Sequence, residues 1–163
     1  MKNVLLTLAL LTAVGFAHAA APVTPTDKPL PKVFVLGEYE ADYETLVEGY
    51  QRGLLEACAC TQEEAFAKWI GMLNEVDVYA RKQGVDILGV KLYLHAFFAP
   101  DGSVEHLAYH LRPNSRQIDD EALASLLEGF AAQYQFPVTG EAGFAHYSKG
   151  DFPVFGELTG STD

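Results

Sequence analysis

Basic side chains are scarce in this chain. Eleven lysines and arginines stand against twenty-two aspartates and glutamates, a formal net charge of −11. So few cations argue against nucleic acid or an anionic lipid surface as the main partner, because both are held through a basic footprint. The surplus acid serves solubility. Cysteine is scarcer still, with only Cys58 and Cys60, and no histidine stands beside them. Two thiols are too few ligands for zinc by themselves. Beyond the first twenty residues there is no second long apolar run, so the remainder reads as soluble, with no membrane insertion. Nothing in the chain resembles a nucleophile elbow, a paired-carboxylate frame or a phosphate loop. Ser103, Ser115 and Ser125 lack a suggestive context. No catalytic residue, cofactor or metal is therefore assigned.

What is present begins with "MKNVLLTLALLTAVGFAHAAAP". Lys2, an apolar run over 4–16 and the small-x-small triplet Ala17, His18, Ala19 make the three-part plan of a secretory signal peptide, 1–19, cut after Ala19. The run is shorter than the roughly 20 residues that cross a bilayer. Localisation is therefore expected to be periplasmic or secreted. Residues 20–32, "AAPVTPTDKPLPK", hold four of the eight prolines and read as a Pro-rich tether. The remainder, 33–163, is of a size that fits one domain with its own core.

"GEYEADYETLVEGYQRGLLEAC" sets Tyr39, Tyr43, Leu46, Val47, Tyr50, Leu54 and Leu55 at helical spacing, with carboxylates opposite. Thr61 and Glu64 then offer a capping box, and Phe66, Trp69, Ile70, Leu73, Val76, Tyr79 and Ala80 carry a second stripe as far as Gly84. The short link between the two predicts an antiparallel helical hairpin over 38–83. After Gly84 the period changes to two. "GVKLYLHAFF" and "SVEHLAYHL" flank "PDG", the strongest short-range hairpin signal. A third helix follows in "IDDEALASLLEGFAAQY", where Leu123, Leu126, Leu127, Phe130 and Tyr134 face one way behind an acidic first turn. Short strands close the sheet-plus-helix region, 84–158.

Taking Asp101 and Gly102 as the turn pairs Ala99 with Val104, Phe97 with His106, His95 with Ala108 and Tyr93 with His110. One sheet face then carries Tyr93, His95, Phe97, His106 and His110. A shared metal is excluded for His106 and His110, which stand four strand residues apart, roughly 13 Å at about 3.3 Å per residue, whereas zinc needs each nitrogen near 2 Å. Three readings stay open for Cys58 and Cys60: a free pair at the hairpin tip, a disulfide, or metal binding. Positions i and i+2 on a helical turn point their Cβ atoms apart, so a local bridge needs an irregular turn. In "HLRPNSRQ", Arg112 and Arg116 flank Asn114 and Ser115 just before a helix, a place that suits an anion or neutralisation of Asp119, Asp120 and Glu121.

From Val90 onward the order of signals resembles the C-terminal domain of TonB-type energy transducers. The residues that carry the resemblance are Asp101, Gly102, Val104, Leu107, Tyr109, Ile118, Asp119, Ala122, Phe136, Pro137 and Gly140, and they span roughly the last seventy residues. A TonB proper also keeps an uncleaved membrane helix and a long proline-rich spacer, from which this chain departs. The resemblance implies a two-layer α+β fold and binding of a partner strand at a sheet edge. The chain as a whole looks like small exported proteins of Gram-negative bacteria.

The expectation is thus an α+β domain: a helical hairpin, a β-hairpin, a helix and short return strands. Its expected role is non-enzymatic docking of an envelope protein or peptide through a strand edge or an aromatic face formed by Tyr93, His95, Phe97, His106, Tyr109 and His110. The alternatives are a small-anion or ligand binder using His110, Arg112, Asn114 and Arg116, and a thiol-redox or hydrolytic enzyme using Cys58 or Cys60.

Overall fold

In a computed structural model that describes residues 29–154, the chain forms four helices and a four-stranded mixed sheet, an α+β fold. The expected signal peptide, and the tether as far as Lys28, lie outside the described residues. No described helix is long and apolar enough to cross a membrane.

The sheet is built outward from a hairpin of β2 (Lys91–Phe98) and β3 (Val104–Leu111). Its register is the one the Asp-Gly turn dictates: Phe97 opposite His106, His95 opposite Ala108 and Tyr93 opposite His110. Only at the turn end does it differ, where a bulge pairs Phe98 instead of Ala99 with Val104. Gly102 sits at φ +87°, and the Asp101 carboxylate accepts the Ser103 amide at 2.9 Å. Glycine is required at position 102 twice over. A side chain there would strain the backbone, and its Cβ would collide with the Phe136 carbonyl oxygen and lie 2.9 Å from that of Val138. The turn is thereby docked on the segment that leads into the last strand, with Phe136 N–H donating to Gly102 O at 2.8 Å.

Two strands complete the sheet in the order β1-β3-β2-β4. β1 (Val33–Val35) runs parallel to β3, and β4 (Phe144–Asp151) runs antiparallel to β2 over eight residue pairs. The return expected as several short strands is one strand. Three apolar residues are too few to show a period, which is why β1 was not legible.

The expected hairpin over 38–83 is three helices on two sides of the sheet. α1 (Glu40–Gly49) is separated from α2 (Leu54–Cys58) by a linker whose Gly53 makes an isolated parallel bridge to Ala145 of β4. The long stripe divides there. Tyr39, Tyr43, Leu46 and Tyr50 pack on Phe34, Phe97 and Ala108, whereas Leu54 enters the main core. That main core is covered by α3 (Gln62–Gln83), whose Ala65, Trp69, Met72, Leu73, Val76 and Ala80 meet Leu92, Leu94, Ala96 and Phe98. Phe97 and Phe98 point to opposite faces, as neighbouring strand residues must, so α1 and α3 lie on opposite faces. The two-layer expectation thus becomes a sheet with helices on both sides.

The helix ends follow their local chemistry. Thr61 and Glu64 form the reciprocal capping box, and Gly84 stops α3 in the left-handed region at φ +71°. α4 (Asp120–Ala131) starts on Asp119, whose carboxylate accepts the Ala122 amide at 2.8 Å, and buries Leu123, Leu126, Leu127 and Phe130 against the main core.

Candidate functional site

Because directly opposed strand residues share a face, β2, β3 and β4 place Tyr93, His95, Phe97, His106, Ala108, His110, Ala145, Tyr147 and Lys149 on the side of the sheet away from α3. α1 covers the middle of this surface. Phe97 is fully buried under it, with Tyr43 and Tyr50 edge-on at 6.4 and 5.2 Å. His95 is half-buried, its Nδ1 2.9 Å from the Tyr43 hydroxyl and its ring 4.2 Å from that of Phe97. Loss of water, helped by the nearby His146, pushes the His95 pKa down to about 4, and burial raises that of Tyr43. At neutral pH the pair is an uncharged imidazole and an uncharged phenol, a packed hydrogen bond with no strong base or nucleophile in it.

The other two histidines of this face stand at other positions along β3. His106 makes a 2.9 Å hydrogen bond to Pro31 O and lies edge-on to Phe34, while His110 is exposed at the far end of β3. Among the described residues, no three or more histidine, cysteine, aspartate or glutamate side chains are placed to hold a metal ion, and no polar or charged residue is buried.

Tyr109 must be reassigned. It belongs to the alternate set of β3 residues, faces α4 in the main core and is only 1% exposed. Its hydroxyl donates to Asp120 O at 3.2 Å, and burial, with the neighbouring Asp120, Glu38 and Asp119 carboxylates, raises its pKa to about 12. It cannot be part of an aromatic docking face without unpacking that core.

What remains open on the surface is a strip at the β4 side. Tyr147 is 52% exposed and stacks on Tyr93 with ring centroids 5.9 Å apart and planes 12° from parallel. The Arg112 guanidinium lies 5.8 Å from the Tyr93 ring centre and is ion-paired with Asp151. Neither Tyr147 nor Asp151 was picked out from sequence. The alternating run "FAHYSKGD" held the signal, but the register of β4 on β2 was needed to bring Tyr147 beside Tyr93.

Beside this strip runs the outer edge of β4. Phe152 N–H donates to Val90 O and its carbonyl accepts from Gly89 N–H, so even-numbered residues turn their backbone groups toward β2. Odd-numbered residues then turn theirs outward. Two of these outward groups are already engaged: Ala145 N–H donates to Arg52 O at 2.9 Å, and Trp69 Nε1–H donates to Lys149 O at 3.4 Å. The N–H and carbonyl of Tyr147 and the N–H of Lys149 point off the sheet, and no other described strand pairs with β4.

The arginine pair expected to hold an anion is divided. Arg112 carries Asp151, and Arg116 carries Asp86, through its backbone carbonyl and, at 3.5 Å, its carboxylate. Asn114 is exposed in the turn between them. The arginines do neutralise carboxylates, but Asp86 and Asp151 take the place of the expected Asp119, Asp120 and Glu121.

Cys58 and Cys60 are disulfide-bonded, with Cα atoms 5.1 Å apart. The irregular turn this needs is supplied by Ala59, left-handed at φ 47° and ψ 36°, where α2 ends.

Compared with protein-family models, with curated proteins and with solved structures, the chain finds no match.

Proposed function

We propose that this protein is a docking module that acts outside the cytoplasm after loss of residues 1–19, and that its partner adds a strand to the outer edge of β4. The observation that carries the proposal is the pairing of two features at one place. A strand edge with outward-turned backbone groups at Tyr147 and Lys149 supplies main-chain hydrogen bonds, and the Tyr147, Tyr93 and Arg112 stack beside it supplies an aromatic platform for side chains. Main-chain pairing for affinity with flanking side-chain contacts for specificity is how strand addition works. The resemblance of the region from Val90 onward to TonB C-terminal domains supports the same mode of binding. The Cys58–Cys60 disulfide is in keeping with an oxidising compartment.

The test is site-directed photo-crosslinking in the envelope, with a photoreactive amino acid at position 147, at 149, or at exposed Glu128 on α4 as control. A discrete adduct from 147 and 149 but not from 128 is expected. Adducts from 128 alone, or none from any position, would overturn the proposal.

A further inference from the structure

The Cys58–Cys60 bridge ties together nothing that the chain does not already hold together. It spans one residue and joins the end of α2 to the residue before the N-cap of α3. The stabilisation a disulfide gives through loop closure grows with the length of the closed loop and is near its floor here. A structural staple is therefore a poor account of it.

Four further observations point to chemistry. Ala59 is the only non-glycine residue with positive φ among the described residues. An L-residue pays a steric penalty in that conformation, which reduction would let it escape. Neither cysteine belongs to the buried core; both lie part-exposed at its margin in the α2–α3 link. The Cys58 sulfur also lies 3.8 Å from the Leu55 carbonyl oxygen, so that a thiol formed there finds an acceptor at once. Large apolar side chains flank the link on either side, Leu55 one turn earlier at 49% exposure and Phe66 in the second turn of α3 at 59%.

We infer that Cys58–Cys60 is a thiol-exchange site whose substrate is a protein dithiol. A thiolate of the partner attacks one of the two sulfurs, forming a mixed disulfide, and the other cysteine leaves as thiolate and takes a proton. The partner's second thiolate then attacks the partner sulfur of the mixed disulfide and releases the remaining cysteine, which is protonated in turn. Two electrons and two protons pass to Cys58 and Cys60, and the partner dithiol becomes a disulfide. Exposed and strained disulfides are the ones that exchange in this way. Ala59 acts as a positioning residue, setting how readily the pair is reduced without touching the reacting sulfurs.

The experiment uses the mature chain and reduced thioredoxin as the protein dithiol, following thiols by alkylation and fold by circular dichroism. Native protein is expected to be reduced with its helical signal unchanged. Ala59→Gly, which removes the steric penalty but adds freedom to the reduced loop, is expected to shift the exchange equilibrium about three- to tenfold toward the disulfide. A Cys58→Ser, Cys60→Ser double variant is expected to melt close to wild type. Reduction only after unfolding, an equilibrium unmoved by Ala59→Gly, or a double variant that fails to fold would each overturn the inference.

Discussion

Acid should loosen this fold well before its carboxylates titrate, and His95 is the reason. Its pKa in the folded protein is about 4, against an ordinary value of 6.5, because the ring is packed between Phe97, Tyr147 and the Tyr43 hydroxyl of α1. As pH falls below about 6.5, the unfolded chain takes up a proton that the folded chain refuses, so stability declines down to about pH 4 and this contribution is gone below it. At about 1.4 kcal/mol per pH unit the gap has a ceiling of about 3 kcal/mol. Discounted for the ring's partial exposure, about 1–2 kcal/mol is expected. His146, packed 4.6 Å from Trp69 and also held below its ordinary pKa by burial, adds in the same direction. The assay is urea unfolding at pH 7.5, 6.5, 5.5 and 5.0, a window above the titration of most carboxylates. The midpoint should fall steadily across it, and His95→Gln, which keeps a polar group but cannot charge, should remove more than half of the slope. Because the protonated ring is expelled from beneath α1, the near-ultraviolet signal of Tyr43 and Tyr50 should change first. An unchanged slope in His95→Gln would refute the reasoning.

Three further outcomes follow from the packing. Gly102→Ala places a Cβ against two carbonyl oxygens at a positive φ and should cost about 2–4 kcal/mol by urea unfolding. Thr61→Ala removes the α3 capping box, and thermal melts should show a loss of about 1 kcal/mol. In a double-mutant cycle, Arg112→Ala with Asp151→Ala should give a coupling of about 0.5–1 kcal/mol that shrinks in high salt, because Asp151 is well exposed.

The parts of this fold that the sequence made legible are those where a local rule coincides with the tertiary outcome. Asp101-Gly102 determined the hairpin register, Thr61 and Glu64 the start of α3, and Asp119 with Leu123, Leu126, Leu127 and Phe130 the buried face of α4. What failed was the allocation of layers. Tyr39, Tyr43, Leu46 and Tyr50 continue into Leu54 at helical spacing, and nothing in that spacing reveals that the chain bridges to β4 at Gly53 and sends the two groups to opposite faces. Tyr109 was misplaced for a related reason. It is adjacent in sequence to His110, and alternation along β3 sends the two to opposite sides of the sheet. The divergence of Arg112 and Arg116 onto Asp151 and Asp86 depends on segments more than twenty residues distant and had no local signature. In the exposed aromatic strip beside β4, Tyr93 was legible in the sequence but Tyr147 was not, since their stacking exists only once β4 is registered on β2.

The central claim, that the outer edge of β4 receives a partner strand, is tested most directly by site-resolved amide exchange along Phe144–Asp151. The measurement is made first on the protein alone and then on its complex with the partner recovered by crosslinking. The Tyr147 and Lys149 amides, which point off the sheet, should exchange rapidly alone and become protected in the complex, while those of His146, Ser148 and Gly150 stay slow throughout. Protection of Tyr147 and Lys149 in the isolated protein, or no gain of protection in the complex, would contradict it.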